Sequence, residues 1–413
     1  MSIPAPYTFN KVLVIILAGG EGQRLYPLTK DRAKPAVPFG GVYRIIDFTL
    51  SNCLNSGFHK IALITQYKSM SLDRHVRLGW WNLFVSELGD FLEIIPPQMR
   101  ISHEWYRGTA DAVYQNIYTL EREKPGVVLI LSGDHVYKMD YRKMLDFHLK
   151  KEADVTVSCV DVPIEEACRF GIMEIDEESR TTGFQEKPSS PKPMPSNPDR
   201  VLASMGVYLF NTTTLVRRIV EDAKTDSRHD FGRDVIPSMI DRDRIYAYQF
   251  EDENKSPVRY WRDIGTLDAY WEANMDLISA SPIFNLYDTD WPVRTYREQF
   301  PPSKTVYGGE DGQMGEVVNS LLSDGCIISG ARVENSVLSP DVRVEAKSSI
   351  SDSVIMEGVR VDGNVKIRRA IIDKGVHVPE GTVIGYDHET DRSHFTVTEN
   401  GVVVVPKQIT IIE

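Results

Sequence analysis

The chain contains the sequence LAGGEGQRLYPLTKDRAKPAVPFGG at residues 17–41, directly after an apolar run at residues 12–17. The apolar run is short and rich in β-branched residues, which predicts a buried strand leading into a glycine turn. The turn contains three glycines: Gly19, Gly20 and Gly22. Three cationic residues follow it: Arg24, Arg32 and Lys34. Because a glycine backbone lets amide N–H groups approach an anion closely, and the cations add charge, this stretch predicts a site for a nucleoside triphosphate.

The sequences of two common phosphate-binding loops do not match this stretch. The chain has no GxxxxGK[ST] string, which excludes a Walker-type loop. Gly20-Glu-Gly22 continues with Gln-Arg-Leu, so the dinucleotide GxGxxG fingerprint is incomplete. The sequence therefore indicates a phosphate-binding loop of another kind.

The composition of the chain sets its broad class. Its 413 residues suggest two or three domains, and its formal net charge of −12 at pH 7 argues against nucleic acid as the main partner. No apolar stretch approaches the length that spans a bilayer. The cysteines form no CxxC or metal-spaced pair and indicate small core residues in a reducing compartment: Cys53, Cys159, Cys168 and Cys326. We therefore expect a cytoplasmic protein that binds neither nucleic acid nor a membrane.

Strand and helix patterns alternate through the first two thirds of the chain. A helix is predicted at residues 44–57, where Gly57 marks its end, and another at residues 266–278, with Thr266 as its N-cap. Buried strands are predicted at residues 12–17, 61–65, 127–134, 155–162 and 204–210. This alternation predicts an α/β fold with a doubly wound, mostly parallel sheet.

The last hundred or so residues contain a repeat. Apolar residues recur about every 17 residues, as in the row Val333, Ile350, Ile367 and Ile384. No helix period produces this spacing, so the pattern predicts a β-solenoid whose coils stack their inward residues. A β-sandwich with regular turns is the alternative, and the strict registry of the rows disfavours it. About four coils are visible, so one end of the solenoid needs a cap or a partner.

Two aspartates are candidates for the chemistry. Asp134 closes the strand predicted at residues 127–134, and Asp263 stands in YWRDIGT. A triphosphate that reacts at its α-phosphorus needs its charge neutralised, and Mg²⁺ on one or two carboxylates provides this. Each aspartate also has a plainer explanation, Asp134 as a turn residue and Asp263 as a partner of nearby backbone before the helix. Together with the glycine loop, the pair favours a magnesium site.

Long motifs in the chain resemble known enzymes. Residues 19–35 match the pattern GGxGxRLxxLTxxRAKP of the sugar nucleotidyltransferases at every defined position. Five further stretches resemble the glucose-1-phosphate adenylyltransferase (ADP-glucose pyrophosphorylase) family: residues 39–57, 64–75, 102–116, 132–141 and 260–277. The resemblance implies a Rossmann-like, GT-A-like nucleotidyltransferase domain at residues 1–280 and a crossing linker at 281–315. It further implies a short left-handed parallel β-helix at 316–413 for regulation or oligomerisation.

The resemblance also implies roles for individual residues. The catalytic residues are expected to be Arg24, Lys34, Asp134 and Asp263, with Mg²⁺ on the two aspartates. The expected ATP site consists of Leu17, Gly19, Gly20, Gln66, Gly108 and Thr109. The expected glucose 1-phosphate site consists of Tyr106, Gly171, Glu186, Lys187 and Ser204. Within it, Glu186 takes sugar hydroxyls and Lys187 the phosphate, although a lysine before proline is by itself usually a solvated turn. Trp105 is similar to a residue linked to active-site closure.

The reaction implied is formation of ADP-glucose and pyrophosphate from ATP and glucose 1-phosphate, the committed step of glycogen or α-glucan synthesis. Enzymes of this family are typically homotetramers regulated by glycolytic metabolites, AMP or phosphate. In one branch a lysine precedes the RAKP string and a histidine follows it, whereas this chain has Asp31 and Pro38, which argues against a fructose 1,6-bisphosphate preference. The candidate effector contacts are Arg32, Arg44 and Arg122, although these could equally pair with surface acids.

Three other functions fit parts of the pattern. A related enzyme could make UDP-, dTDP- or GDP-sugars, but the adenine-side motifs disfavour another nucleotide. The solenoid could transfer acetyl groups, but its repeat offers no plausible catalytic histidine. A non-catalytic regulatory subunit of the same fold could bind effectors without turnover. Such a subunit would have no need to keep Asp134, Asp263 and Lys187.

Overall fold

The computed structural model describes residues 11–98, 105–195, 197–310 and 312–407. The first three residues of the predicted motif at 102–116 lie outside the described residues. So do the outer ends of the two predicted domains, at residues 1–10 and 408–413.

The N-terminal part of the chain alternates strands and helices, as the sequence predicts. In chain order these elements are β1 (Val12–Ala18), β2 (Pro38–Phe39), β3 (Tyr43–Arg44), α1 (Ile45–Asn55), β4 (Lys60–Thr65), α2 (Met70–Gly79), β5 (Phe91–Ile95), α3 (Thr109–Gln115), α4 (Ile117–Glu123), β6 (Val127–Ser132), β7 (His135–Tyr137), α5 (Tyr141–Lys150), β8 (Val155–Pro163), β9 (Gly171–Ile175), β10 (Thr181–Glu186), β11 (Arg200–Asn211), α6 (Thr212–Asp222), α7 (Ile236–Met239), β12 (Ile245–Gln249), β13 (Trp261–Asp263) and α8 (Leu267–Met275). The predicted N-cap is confirmed, because the Thr266 hydroxyl accepts a hydrogen bond from the Ala269 amide at the start of α8.

Nine strands of the described residues form the main sheet, in the order β10-β9-β11-β6-β1-β4-β5, with β8 on β11 and β12 on β8. The predicted α/β class is confirmed. The sheet is more mixed than expected: β6-β1-β4-β5 is parallel, whereas β11 runs antiparallel to β6, β8 and β9. The sheet also contains a hairpin, because β9 and β10 are joined without a crossover helix and pair antiparallel.

Both faces of the sheet are buried. Side chains alternate along β1, so that Val14 and Ile16 enter a core shared with α1, α2 and α5. Leu13 and Ile15 enter a second core shared with α3, α4 and α6. A strand covered by helices on both faces reads as a continuous apolar run, which explains the sequence of β1.

The C-terminal part is a parallel β-helix. Its elements are β14 (Lys304–Val306), β15 (Glu316–Val318), β16 (Leu321–Leu322), β17 (Ile327–Ser329), β18 (Arg332–Glu334), β19 (Val337–Leu338), β20 (Arg343–Val344), β21 (Ser349–Ser351), β22 (Val354–Ile355), β23 (Arg360–Val361), β24 (Lys366–Arg368), β25 (Ala370–Ile372), β26 (His377–Val378), β27 (Val383–Ile384), α9 (His388–His394), β28 (Thr396–Val397) and β29 (Val403–Val405). Within the described residues these strands form three stacked sheets, β14-β17-β20-β23-β26, β15-β18-β21-β24-β27 and β16-β19-β22-β25-β29-β28.

The predicted rows are the ladders of this β-helix. Val333 pairs with Ile350, Ile350 with Ile367 and Ile367 with Ile384, all in parallel register. These side chains are buried in one core. The arrangement is consistent with the predicted left-handed β-helix. Its first strand, β14, lies inside the segment that the sequence predicts to be a linker.

The β-helix packs against the N-terminal part. One apolar cluster combines Leu25 and Leu28 of the glycine-rich segment with Tyr270 of α8 and with Val354 and Ile371 of the β-helix. The two parts of the chain therefore share a core next to the segment that carries the predicted site. In the described part of the chain, no helix has the length and apolar character needed to cross a membrane.

Candidate active site

The ends of three neighbouring parallel strands position the site. β1 ends at Ala18 before the glycines, β4 ends at Thr65 before Gln66, and β6 ends at Ser132 before Asp134. Because β6, β1 and β4 are adjacent and parallel, their carboxyl ends meet at one edge of the sheet. Crevices at this edge are the usual ligand sites of open α/β sheets.

Lys34 joins the two predicted aspartates. Its Nζ atom lies 2.6 Å from Asp134 Oδ2 and 3.0 Å from Asp263 Oδ1, and it donates a hydrogen bond to each. The hydroxyl of Ser132 donates a further hydrogen bond to Asp134. Asp263 reaches this point because β13 pairs with β7, which follows Asp134 directly. Three residues that are far apart in sequence thus form one charged cluster.

The electrostatics of this cluster favour its charged state. Burial alone would raise the pKa of Asp134, but the attraction of Lys34 and His135 and hydrogen bonds from Lys34 and Ser132 lower it below the usual carboxyl value. The pKa of Asp263 is lowered for the same main reason, the nearby Lys34 ammonium, against the opposing effect of burial. Burial would lower the pKa of Lys34, but the two carboxylates raise it. Both aspartates are therefore ionised near neutral pH.

The same cluster has donors suited to a divalent ion. Asp134, His135 and Asp263 each offer one ligand atom, and these atoms lie within 4.8 Å of one another. The Nε2 atom of His135 lies 3.5 Å from Asp134 and 3.7 Å from Asp263. Carboxylate oxygens are the donors that Mg²⁺ prefers, and it usually takes one or two of them with substrate oxygens. The residues present fit the expected ion, and His135 is a neighbour that the sequence did not single out although it follows Asp134.

The glycine turn is a close-packed loop, which we call the signature loop (residues 19–36). Gly22 has a φ of +66°, in the region that favours glycine. Its carbonyl accepts a hydrogen bond of 2.9 Å from the Thr29 hydroxyl. At Gly20 a Cβ atom would meet nothing within 4 Å, so its backbone faces open space. The loop is thus held by a side-chain hydrogen bond where it folds back, and it is open at Gly20, where an anion can approach.

The predicted adenine side lies opposite the signature loop. Gln66 is buried, and its Nε2 atom donates to the backbone carbonyl of Tyr106 at 3.4 Å. Gly108 directly precedes α3, and a Cβ atom there would lie 2.3 Å from the carbonyl oxygens of Arg228 and His229, so only glycine fits. The hydroxyl of Thr109 donates to Asp230 at 3.0 Å.

The predicted sugar residues lie on the antiparallel part of the sheet. Gly171 pairs with Glu186 across the hairpin β9–β10, and Lys187 follows with its amide on the carbonyl of Phe170 at 2.9 Å. Ser204 stands at the register shift of β11. The hairpin that the sequence did not predict therefore brings Gly171 to Glu186 and Lys187.

A single cleft of about 780 Å³ runs between these groups. The expected residues that line it are Leu17, Gly19, Gly20, Arg24, Lys34, Gln66, Tyr106, Gly108, Thr109 and Asp134. Asp263 borders it next to Gly265, where a Cβ atom would lie 3.1 Å from Asp263 Oδ2 and 3.3 Å from Arg24 Nη2. Four residues of the expected sugar site do not line this cleft: Gly171, Glu186, Lys187 and Ser204. The cleft extends toward them along Gly206, Tyr208 and Gly232. Trp105 is stacked on Tyr67 beside the cleft, with ring centroids 5.2 Å apart.

The structure does not bring the three candidate effector arginines together. Arg32 is buried against Asp373 of the β-helix. Arg122 pairs with Glu93 and Glu123 on the surface. Arg44 alone of the three borders a second cavity, of about 460 Å³, between the N-terminal part and the β-helix. Sequence reasoning missed the other cations of this cavity, Arg74, Arg297 and Lys374, which share no motif.

Comparison with known proteins agrees with this geometry. The family model described as "Nucleotidyl transferase" matches residues 13–280, and the model described as "GlmU-like, C-terminal hexapeptide" matches residues 301–405. The fold and the charged cleft are those of a nucleotidyltransferase.

Full-length relatives define the family further. A "Glucose-1-phosphate adenylyltransferase" of Koribacter versatilis is 52% identical over 405 residues, which cover 98% of this chain and 97% of the relative. Proteins of the same name from Rhodopirellula baltica and Hydrogenovibrio crunogenus are each 52% identical, over 96% of this chain and 90% and 94% of their own lengths. The chain belongs to the glucose-1-phosphate adenylyltransferase family, as its motifs predict.

Proposed function

We propose that this protein transfers the adenylyl group of ATP to glucose 1-phosphate, giving ADP-glucose and pyrophosphate. The observation that carries the proposal is the placement of Lys34 between Asp134 and Asp263 at the strand edge beside the signature loop. In the reaction, a phosphate oxygen of glucose 1-phosphate attacks the α-phosphorus of ATP. The bond from that phosphorus to the bridging oxygen of pyrophosphate breaks.

The attacking group needs no base from the protein. A sugar phosphate oxygen is already anionic near neutral pH, so alignment and charge neutralisation carry the rate. Arg24 and Lys34 face the cleft and are the cations we assign to the phosphates. Mg²⁺, which we assign to Asp134 and Asp263, would supply further neutralisation of the triphosphate charge when bound.

The two substrates occupy opposite ends of the cleft in this proposal. ATP places its phosphates against the open backbone of Gly19 and Gly20 and its adenine near Gln66, Gly108 and Thr109. Glucose 1-phosphate lies beyond Gly206, with its hydroxyls on Glu186 and its phosphate on Lys187. Glu186 is held by Arg233, whose Nε atom lies 3.4 Å from Glu186 Oε1. The contact links the Glu186 carboxylate to the residue that follows Gly232 of the cleft lining.

Pyrophosphate release from ATP, UTP, dTTP and GTP in the presence of glucose 1-phosphate tests the proposal. ATP is expected to be the preferred substrate, and preference for another nucleotide would identify a different sugar nucleotidyltransferase. Asp134→Ala is expected to abolish release while the protein stays folded. Asp140→Ala, which removes the N-cap of α5 outside the site, is the control and is expected to retain turnover. A parent protein that binds nucleotide without any turnover would instead indicate a regulatory subunit.

We also propose that the second cavity binds an anionic effector such as a glycolytic metabolite, AMP or phosphate. Arg44, Arg74, Arg297 and Lys374 border it, and burial together with the neighbouring Arg44 and Arg32 lowers the pKa of Lys374 despite the opposing Glu357. Asp31, Glu298, Asp324 and Glu357 border the cavity as well, so an anionic effector would contact the four cations in competition with these carboxylates. Activity measured with a panel of these compounds should respond in the parent and not in Lys374→Ala. Arg122→Ala, on a surface ion pair, is expected to keep the response.

The homotetramer and the cytoplasmic location remain proposals as well. Size measurement in solution by light scattering tests the first. A mass of one or two chains at assay concentration would contradict it.

A further inference from the structure

One buried ion pair fixes the signature loop to the β-helix. The guanidinium of Arg32 contacts both carboxylate oxygens of Asp373 through Nη2, and the two side chains are only 5% and 1% exposed. Arg32 stands two residues before Lys34, and Asp373 directly follows β25. A residue of the β-helix is therefore tied to the segment that carries a catalytic cation.

Both members of the pair, Arg32 and Asp373, make further contacts that hold them in place. Arg32 Nη1 also contacts Met356 Sδ at 4.0 Å, and the amide of Lys374 donates to Asp373 at 2.7 Å. Removing one partner of a buried ion pair leaves the other charge buried without compensation, which is strongly unfavourable. The pair is thus a buried link between the signature loop and the β-helix.

A second part of the catalytic cluster also rests on the β-helix. α8 begins four residues after Asp263, and its Asp268 accepts a hydrogen bond of 2.6 Å from Thr398. The indole of Trp271 donates to the carbonyl of Asp352 at 2.8 Å. Asp134, by contrast, is fixed by the central sheet. Two of the three charged groups in the cluster, Lys34 and Asp263, thus lie on or next to segments that contact the β-helix.

We propose that Asp373 is a positioning residue for adenylyl transfer. Through Arg32 it holds the backbone of the signature loop so that Lys34 Nζ stays between Asp134 and Asp263. The inference rests on the proposed function. Because displacements near 1 Å at reacting groups are costly, loss of the buried link should act on the chemical step more than on substrate binding.

Asp373→Asn compared with Asp243→Asn tests this role. Asp243 forms an equally buried pair with Arg218, at 2.6 Å with 4% and 2% exposure, away from the cleft. Both variants should lower the midpoint of thermal unfolding. At a temperature where both are folded, only Asp373→Asn should lower kcat, by about 10- to 100-fold, with KM for both substrates changed by less than about threefold. An unchanged kcat in folded Asp373→Asn, or an equal loss in Asp243→Asn, would overturn the proposal.

Hydrogen exchange gives a readout that needs no activity. The amides of Ala36 and Val37 donate to the carbonyls of Ala33 and Lys34. Exchange in the peptide covering residues 31–37 should accelerate in Asp373→Asn and not in Asp243→Asn. If the parent failed to make ADP-glucose, the proposed function would be wrong. The exchange measurement would still show whether the Arg32–Asp373 pair holds the signature loop in place. If Asp373→Asn does not fold, Arg32→Lys replaces it, because lysine keeps a positive charge near the buried Asp373 carboxylate but lacks the guanidinium group that makes the contact. Exchange in Arg32→Lys as slow as in the parent would count against the proposal.

Discussion

Lys34 donates a hydrogen bond of 2.6 Å to Asp134 although 100 residues separate them in the chain. The contact places a cation at the end of β6, where it neutralises a carboxylate and faces the cleft. The same ammonium reaches Asp263, so one lysine organises both acidic groups.

Replacing this lysine should therefore affect turnover strongly. Lys34→Ala is expected to lower kcat by about 10²- to 10³-fold, the usual cost of removing one charge-stabilising group in an active site. Steady-state pyrophosphate release measures the change. Lys143→Ala, which removes exposed ion pairs to Glu251 and Glu253, is the control. A Lys34→Ala protein within tenfold of the parent would show that the cation does not act in the reaction.

Lys187 should contribute to the binding of glucose 1-phosphate. Lys187→Ala is expected to raise KM for glucose 1-phosphate by about 10- to 100-fold, because it removes the charge assigned to the sugar phosphate, while KM for ATP stays nearly unchanged. Lys192→Ala serves as a matched control, since Lys192 also follows β10 in the chain and pairs with Glu174 of β9. A rise in KM for ATP instead would place Lys187 at the nucleotide.

Two glycines of the cleft should respond differently to an added methyl group. Gly108→Ala forces a Cβ atom to 2.3 Å from two carbonyl oxygens and is expected to reduce the free energy of unfolding by about 1–3 kcal/mol. Gly20→Ala has room for its methyl group and should fold normally, yet raise KM for ATP because the methyl group enters the cleft. Gly126→Ala, with its nearest atoms at 3.9 Å, should change neither quantity. Thermal unfolding and steady-state kinetics separate the two effects; equal stability of Gly108→Ala and the parent would contradict the steric argument.

The sequence predicted those parts of the fold that depend on local pattern. β1 was recognisable because both of its faces are buried, and the β-helix because residues such as Val333 and Ile350 are stacked in register. The signature loop was recognisable because its glycines and cations lie close together in the chain. β1 and the signature loop are determined by residues that are close together in sequence, and the β-helix by an apolar repeat of about 17 residues.

Long-range side-chain partners could not be predicted in the same way. Arg32 and Arg44 are only twelve residues apart in the chain, yet Arg32 is buried against Asp373 and Arg44 borders a cavity. Only tertiary packing decides which arginine meets a carboxylate. The hairpin β9–β10 was missed because its residues are partly exposed and lack a clean alternation. It is nevertheless the element that carries Glu186 to the edge of the site.

The acid stability of the protein should depend in part on Asp161. Its carboxylate lies 2.7 Å from Arg200 and 2.5 Å from Arg259. Burial alone would raise the pKa of Asp161, but the two guanidinium groups lower it below the usual value. A carboxyl group with a depressed folded-state pKa stabilises the fold above its unfolded pKa, and this contribution is lost as the pH falls through the folded value.

Asp161→Asn is therefore expected to lower stability near neutral pH by about 1 kcal/mol, the size of a good partly exposed ion pair. The difference from the parent should shrink as the pH is lowered from about 5 toward 2. Midpoints of thermal unfolding across this range measure it. A difference that stays constant with pH would show that the ion pairs are not its source.

The ladders of the β-helix should carry the stability of the C-terminal part. Ile355 is fully buried and stacks between Leu338 and Ile372, so Ile355→Ala leaves a cavity that neighbouring coils cannot fill. The expected loss is about 2–5 kcal/mol in the free energy of unfolding. Val383→Ala changes a residue that is 51% exposed on the same β-helix and should stay within about 0.5 kcal/mol of the parent. Because each coil contacts only its neighbours, the damage should begin at the altered coil, and hydrogen exchange should accelerate first in residues 338–372. Acceleration confined to the catalytic part would contradict the stacked-coil account.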